Sequence, residues 1–167
     1  MSITEDTIAA IATAPGGAIG MIRISGTDAI RIAQTHFHPW PKKHVDRHLY
    51  HGWWRDKDGQ DIDEGLVVTM KGPRSYTGED VVELSVHGGA LGLSHCLDAC
   101  VASGARLADP GEFTRRAFLN GRLDLTRAEG VADLIAAQTE RALKQARSLL
   151  KGELYERANA IRTDLLS

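Results

Sequence analysis

Apolar and polar positions alternate with a period of two over the front of the chain. Ile8, Ala10 and Ala12 interleave with Ala9 and Ile11, and the run from Ala18 to Ile24 is apolar at most positions. Both stretches predict strands buried on two faces, joined by the turn Ala14-Pro15-Gly16-Gly17. Ser25-Gly26-Thr27-Asp28 then places a polar cap ahead of Ala29, Ile30 and Ala33, which fall at helical spacing. Residues 38–47, rich in Pro, Lys and His, predict a surface loop. Leu49 to Trp54 and Gly65 to Met70 predict strands of a hairpin around Asp56-Lys57-Asp58-Gly59, a turn that needs its glycine. Lys71 to Asp80 is a long Gly- and Pro-containing loop between two strands, a kind that is often functional. Val81, Val82, Leu84 and Val86 give the next strand, and Leu91 to Ala102 a helix. Ala105 to Ala108 is extended, and Asp109-Pro110-Gly111-Glu112 starts another helix.

The pattern changes at Thr126. No proline follows, and the only glycines are Gly130 and Gly152. Val131, Ile135, Ala142, Ala146, Leu149, Leu150, Leu154, Ala158, Ile161 and Leu165 recur at threes, fours and sevens, which predicts one or two long amphipathic helices. The stripe persists to the last residues, and an unmatched apolar face needs a cover. The expectation is a natural protein that continues beyond Ser167, with a second chain as the other source of that cover.

Composition narrows the class without naming a partner. The 167 residues are 43% hydrophobic and 25% charged, which excludes collagen-like, disordered and disulfide-scaffold chains. No apolar run approaches the roughly 20 residues of a membrane span, and no secretory leader is recognised at the start. The formal net charge of −2 is not the basic excess of a broad nucleic-acid surface. Cys96 and Cys100 share a helical face and lack the Cys-x-x-Cys spacing of a zinc or redox site, so they are expected to be reduced core residues.

Phosphate chemistry is not encoded in the recognisable ways. The chain has no Gly-Lys dipeptide, hence no P-loop, and Gly16, Gly17 and Gly20 do not fit the dinucleotide fingerprint. His87-Gly88-Gly89 resembles an esterase oxyanion tract, but Ser94, flanked by Leu93 and His95, has Cys96 in place of the second glycine of Gly-x-Ser-x-Gly. The histidines, mostly in the loop from His36 to His51, show no His-x-x-x-His pair inside a predicted helix. Three charges stand out by position. Arg23 and Glu83 interrupt apolar strands, and Arg122 lies in a loop between helices. A buried charge costs several kcal/mol unless it is paired or ligand-bound. The strands therefore have a wet face, or Arg23 and Glu83 pair with each other, or the charges meet a ligand.

Several tracts resemble the TrmE/MnmE family of tRNA-modification GTPases. They are Asp6-Thr7-Ile8-Ala9-Ala10, Ile22-Arg23-Ile24-Ser25-Gly26, the run from Gly72 to Glu83, His87-Gly88-Gly89, and the run from Pro110 to Leu125. Order and spacing match from Thr4 to about Leu154. The resemblance implies an α+β fold with an antiparallel-rich sheet, similar to the folate-binding domain of glycine-cleavage T-protein, followed by long helices. It implies a folate-binding and dimerisation domain over residues 1–118 and the first part of a helical domain over 119–167. In the family a G domain is inserted in that helical domain and uses GTP and potassium. The family enzyme works as a homodimer in the cytoplasm with the FAD protein MnmG/GidA. It modifies carbon five of the wobble uridine of certain tRNAs, using a 5-formyl- or methylene-tetrahydrofolate. By position, the family's folate contacts fall here on Arg23, Glu83 and Arg122. The resemblance assigns no catalytic residue and no metal ligand to this chain, which is expected not to hydrolyse GTP by itself. The turn Pro15-Gly16-Gly17-Ala18 departs from the family's Pro-Gly-Arg-Gly-Gly in lacking the Arg and one residue of length. Two other readings share the tracts less well: a free-standing folate-dependent aminomethyltransferase and a structural dimerisation module.

Overall fold

The computed structural model describes residues 6–152, which form two compact units that divide after Pro110. The first unit is a seven-stranded sheet carrying two helices. Its elements are β1 (Ile8–Ile11), β2 (Ile19–Ser25), α1 (Ala29–His36), β3 (Phe37–His38), β4 (Tyr50–Arg55), β5 (Asp61–Met70), β6 (Val81–His87), α2 (Ala90–Ala102) and β7 (Arg106–Leu107). The strand order is β3-β4-β5-β6-β2-β1-β7. Every pairing is antiparallel except that of β7 with β1, which is parallel. The chain is thus α+β with an antiparallel-rich mixed sheet. Helix α1 carries it from the sheet centre to the β3 edge, the β4-β5-β6 meander returns, and α2 carries it to the opposite edge.

Alternation decides which side chains face the helices. Ile22 and Ile24 of β2, Val82, Leu84 and Val86 of β6, Val67 of β5 and Trp54 of β4 pack with Ala29, Ile32 and Ala33 of α1 and Leu93, Cys96 and Cys100 of α2. Gly65 allows the crowded centre of this layer, since a Cβ there would collide with the Ser85 carbonyl and lie 2.8 Å from Val86 Cγ1. His36 closes α1: Nδ1 donates to the Arg55 carbonyl at 2.7 Å, Nε2 accepts from Ser103 Oγ at 2.7 Å, and the ring stacks on Trp54.

The opposite sheet face carries no helix of this unit, which corrects the expectation of strands buried on both sides throughout. Only its β1-start end is closed. Ile8, Ser25 and Val81 are fully buried, Ala10, Met21 and Arg23 are half-buried, and Ile19 is 68% exposed. The apolar residues of the run from Ala18 to Ile24 therefore divide between a core side and a partly wet side.

The second unit contains α3 (Glu112–Leu119), α4 (Leu125–Ala136) and α5 (Glu140–Leu150). The tail periodicity resolves into two helices because a side chain caps each start. Asp124 accepts from the Arg127 N–H at 2.8 Å, and Thr139 from the Ala142 N–H at 3.2 Å. Gly130 lets α4 and α5 approach, as a Cβ there would lie 2.9 Å from Leu149 Cβ. The stripe positions Leu154, Ala158, Ile161 and Leu165 lie outside the described residues. Among the described residues no helix is long and apolar enough to cross a membrane.

Candidate functional site

Arg23 sits in the middle of β2, directly opposite Glu83 of β6 in the antiparallel register. Register places Ala10 of β1, Arg23, Glu83 and Val68 of β5 in one row across the open sheet face. The row on one side of it is Ile8, Ser25, Val81 and Met70, and the row on the other is Met21, Ser85 and Leu66. The ion pair therefore lies where the covered end of the face gives way to the open end.

Two Arg23 bonds land on one oxygen. Nε and Nη2 donate to Glu83 Oε1 at 2.9 and 2.7 Å. Among the described residues no hydrogen bond reaches Oε2 of Glu83. The side chains of Arg23 and Glu83 retain 25% and 20% of their exposure. The two charges that looked costly in apolar strands thus neutralise each other and keep contact with water. That is the pairing the residues alone had left open, and it is compatible with a ligand reaching the free oxygen.

The loop from Lys71 to Asp80 covers the buried end and is tied from within. Ser25 Oγ lies 2.7 Å from Thr77 Oγ1 and donates to Glu79 Oε2 at 2.7 Å. The Gly78 N–H donates to Ser75 Oγ at 3.0 Å, the Glu79 N–H to Thr77 Oγ1 at 3.2 Å, and the Gly72 N–H to Asp80 Oδ1 at 2.9 Å. Gly78 has φ +83°, a conformation that favours glycine. Ser75 and Thr77 are buried, while Tyr76 between them is half-buried. Its ring centroid is 5.1 Å from Arg23 Cζ, so the guanidinium lies over the ring. Tyr76 is not among the residues the sequence singles out; the signal it offers there is an aromatic between two hydroxyl residues in a long loop.

Arg122 belongs to the second unit. It is exposed in the turn after α3, where Gly121 has φ +69° and the Arg122 N–H donates to the Ala117 carbonyl at 2.8 Å. The same unit holds a pair that the sequence disguises. Glu112 and Arg116 look like an ordinary surface pair at i,i+4, yet each side chain is 1% exposed, with Arg116 Nη2 3.1 Å from Glu112 Oε1.

At the far end of β6, His87 is held by Asp63. Its Nδ1 donates to Asp63 Oδ1 at 2.8 Å and its N–H to Asp63 Oδ2 at 3.0 Å. The hydrogen bond and charge of Asp63 hold the His87 pKa above its ordinary value. A cavity of about 320 Å³ lined by Asp56, Lys57, Asp58, Ile62, His95 and Asp98 shares no residue with the Arg23–Glu83 pair.

Residues 7–122 match the family described as GTP-binding protein TrmE N-terminus. The chain belongs to this family. It is 51% identical over 167 residues to the tRNA modification GTPase MnmE of Symbiobacterium thermophilum. It is 53% identical over 166 residues to that of Syntrophus aciditrophicus, and 50% over 162 residues to that of Thermotoga maritima. These alignments take in 96–97% of the chain and 36% of each relative, so the chain spans about a third of the length of the relatives it matches.

Proposed function

We propose that the chain is the folate-binding and dimerising portion of a tRNA-modification GTPase. The observation that carries this reading is the Arg23–Glu83 pair on the open sheet face, with Glu83 Oε2 left available. A carboxylate suits the amino and ring N–H donors of an aminopyrimidine edge, and the neighbouring guanidinium orients it. The half-buried surroundings Ala10, Met21 and Val68 suit the flat apolar part of a pterin. The residues present therefore fit a tetrahydrofolate derivative, either 5-formyl- or methylene-tetrahydrofolate. When bound, that group supplies a one-carbon unit. Arg23 and Glu83 bind and orient it, and Arg122 is assigned to the same ligand by its place in the family motif. Arginine matches carboxylates such as those of a folate's glutamate tail by bidentate pairing.

On this reading residues 1–118 are the folate-binding and dimerisation domain, similar in fold to that of glycine-cleavage T-protein, and 119–167 open the helical domain. The whole enzyme would act in the cytoplasm as a homodimer with MnmG/GidA on the wobble uridine of tRNA. GTP and potassium would belong to a G domain outside this sequence.

Calorimetric titration with 5-formyltetrahydrofolate tests the ligand. The chain is expected to bind, and Glu83→Ala to lose affinity by about 1–3 kcal/mol, the cost of leaving the pterin donors unpaired. Equal affinities for the two proteins remove Glu83 from the site.

A further inference from the structure

Arg23 could reach Glu83 in many ways, because arginine has a long side chain with high rotamer freedom. In the structure Nε and Nη2 both turn to Oε1 of Glu83, and Arg23 Cζ lies over the Tyr76 ring, 5.1 Å from its centroid. That orientation is what leaves Oε2 of Glu83 available. A guanidinium turned to straddle the carboxylate would occupy both oxygens.

The support behind Tyr76 is unusually complete for a loop. Its neighbours Ser75 and Thr77 are 4% and 0% exposed, and their hydroxyls hold the Gly78 and Glu79 N–H groups. Thr77 and Glu79 are in turn held by Ser25, two residues along β2 from Arg23. The strand that carries Arg23 therefore also anchors the loop that carries Tyr76, and the two groups meet on a short, rigid path.

We infer that Tyr76 is a positioning residue for the folate site: by holding the face of the Arg23 guanidinium, it confines Arg23 to Glu83 Oε1 and keeps Oε2 open for the ligand's donor edge. This rests on the folate reading above. The contact is a cation–π interaction, which depends on the ring face and not on the phenol hydroxyl. Tyr76→Phe should therefore preserve what Tyr76→Leu removes.

The test is a double-variant cycle on the full chain, read by 5-formyltetrahydrofolate titration. Tyr76→Leu should weaken binding roughly three- to tenfold, Tyr76→Phe should bind as the parent does, and Tyr76→Leu should cost nothing more in an Arg23→Ala background. A second readout needs no ligand. In nitrogen NMR of the free protein, the Arg23 Nε–H should exchange slowly with solvent and carry a ring-current shift. Tyr76→Leu should remove both features and Tyr76→Phe should keep them, with thermal unfolding showing that each variant is folded. Equal losses from Tyr76→Leu with and without Arg23, or an Arg23 Nε–H signal unchanged in Tyr76→Leu, overturn the inference. If the parent chain binds and Glu83→Ala does not, such a result leaves the folate reading standing and removes only Tyr76. If the parent chain shows no binding, the folate reading fails and the inference goes with it.

Discussion

Cys96 and Cys100 face the core from one side of α2, and Cys100 Sγ donates to the Cys96 carbonyl at 3.3 Å. Burial pushes both thiols from an ordinary value near 9 up to about 12. The thiolate is the reactive form, so both are inert while the domain is folded. At pH 8 a thiol reagent such as Ellman's should label neither cysteine in native protein and both after unfolding in guanidinium. The linkage has a definite sign. The folded state holds these protons more tightly, so their contribution to stability is complete below about pH 9 and is lost as pH rises toward 12. Rapid labelling of native protein at pH 8 contradicts this. The Arg23–Glu83 pair behaves differently. It is partly solvated, and such pairs contribute at most about 1 kcal/mol to stability. Variants at Glu83 should therefore remain folded, which keeps the binding test clean.

At the scale of elements, the loop from Lys71 to Asp80 is held by buried polar contacts. Thr77 and Ser25 are each 0% exposed, and the Thr77 hydroxyl serves both Ser25 Oγ and the Glu79 N–H. Thr77→Val keeps the shape and deletes the hydroxyl, leaving buried partners without a bond. The expected cost is about 1–3 kcal/mol, measured as a lower urea midpoint with an unchanged slope. An unchanged midpoint means the loop is held by other contacts. Helices α4 and α5 show the same dependence on side-chain caps. The interruption at residues 137–139 contains neither glycine nor proline, and the Thr139 cap marks the restart.

At the scale of the molecule, the proposed self-association has two rival sources, the open sheet face and the tail helices. The open face exposes Ile19 and Leu66, and a two-fold contact would use that patch on both copies. On the proposed reading the chain is a homodimer built by residues 1–118. Light scattering should find a dimer for the full chain and still a dimer after deletion of residues 126–167. A monomer after that deletion, at concentrations where the full chain is dimeric, assigns the dimer to the helices instead.

The strands, α1, α2 and the hairpin at Gly59 were legible in the sequence because their signals are local. Period two, helical spacing and turn glycine each depend only on neighbouring residues. The short strand β3 was less so: Phe37–His38 was not distinguished from the loop, because two residues carry no period, whereas β7 falls in the stretch Ala105 to Ala108 read as extended. The family tracts named Arg23 and Glu83, and their intrusion into apolar strands marked them on independent grounds. What the sequence could not determine was whether those charges met each other. That depended on β6 pairing with β2, a contact between strands 60 residues apart. The assembled structure also brings Tyr76 of the Lys71–Asp80 loop over Arg23. Chain order specifies which side chains point together along a strand, and only the assembled sheet specifies which strands lie side by side.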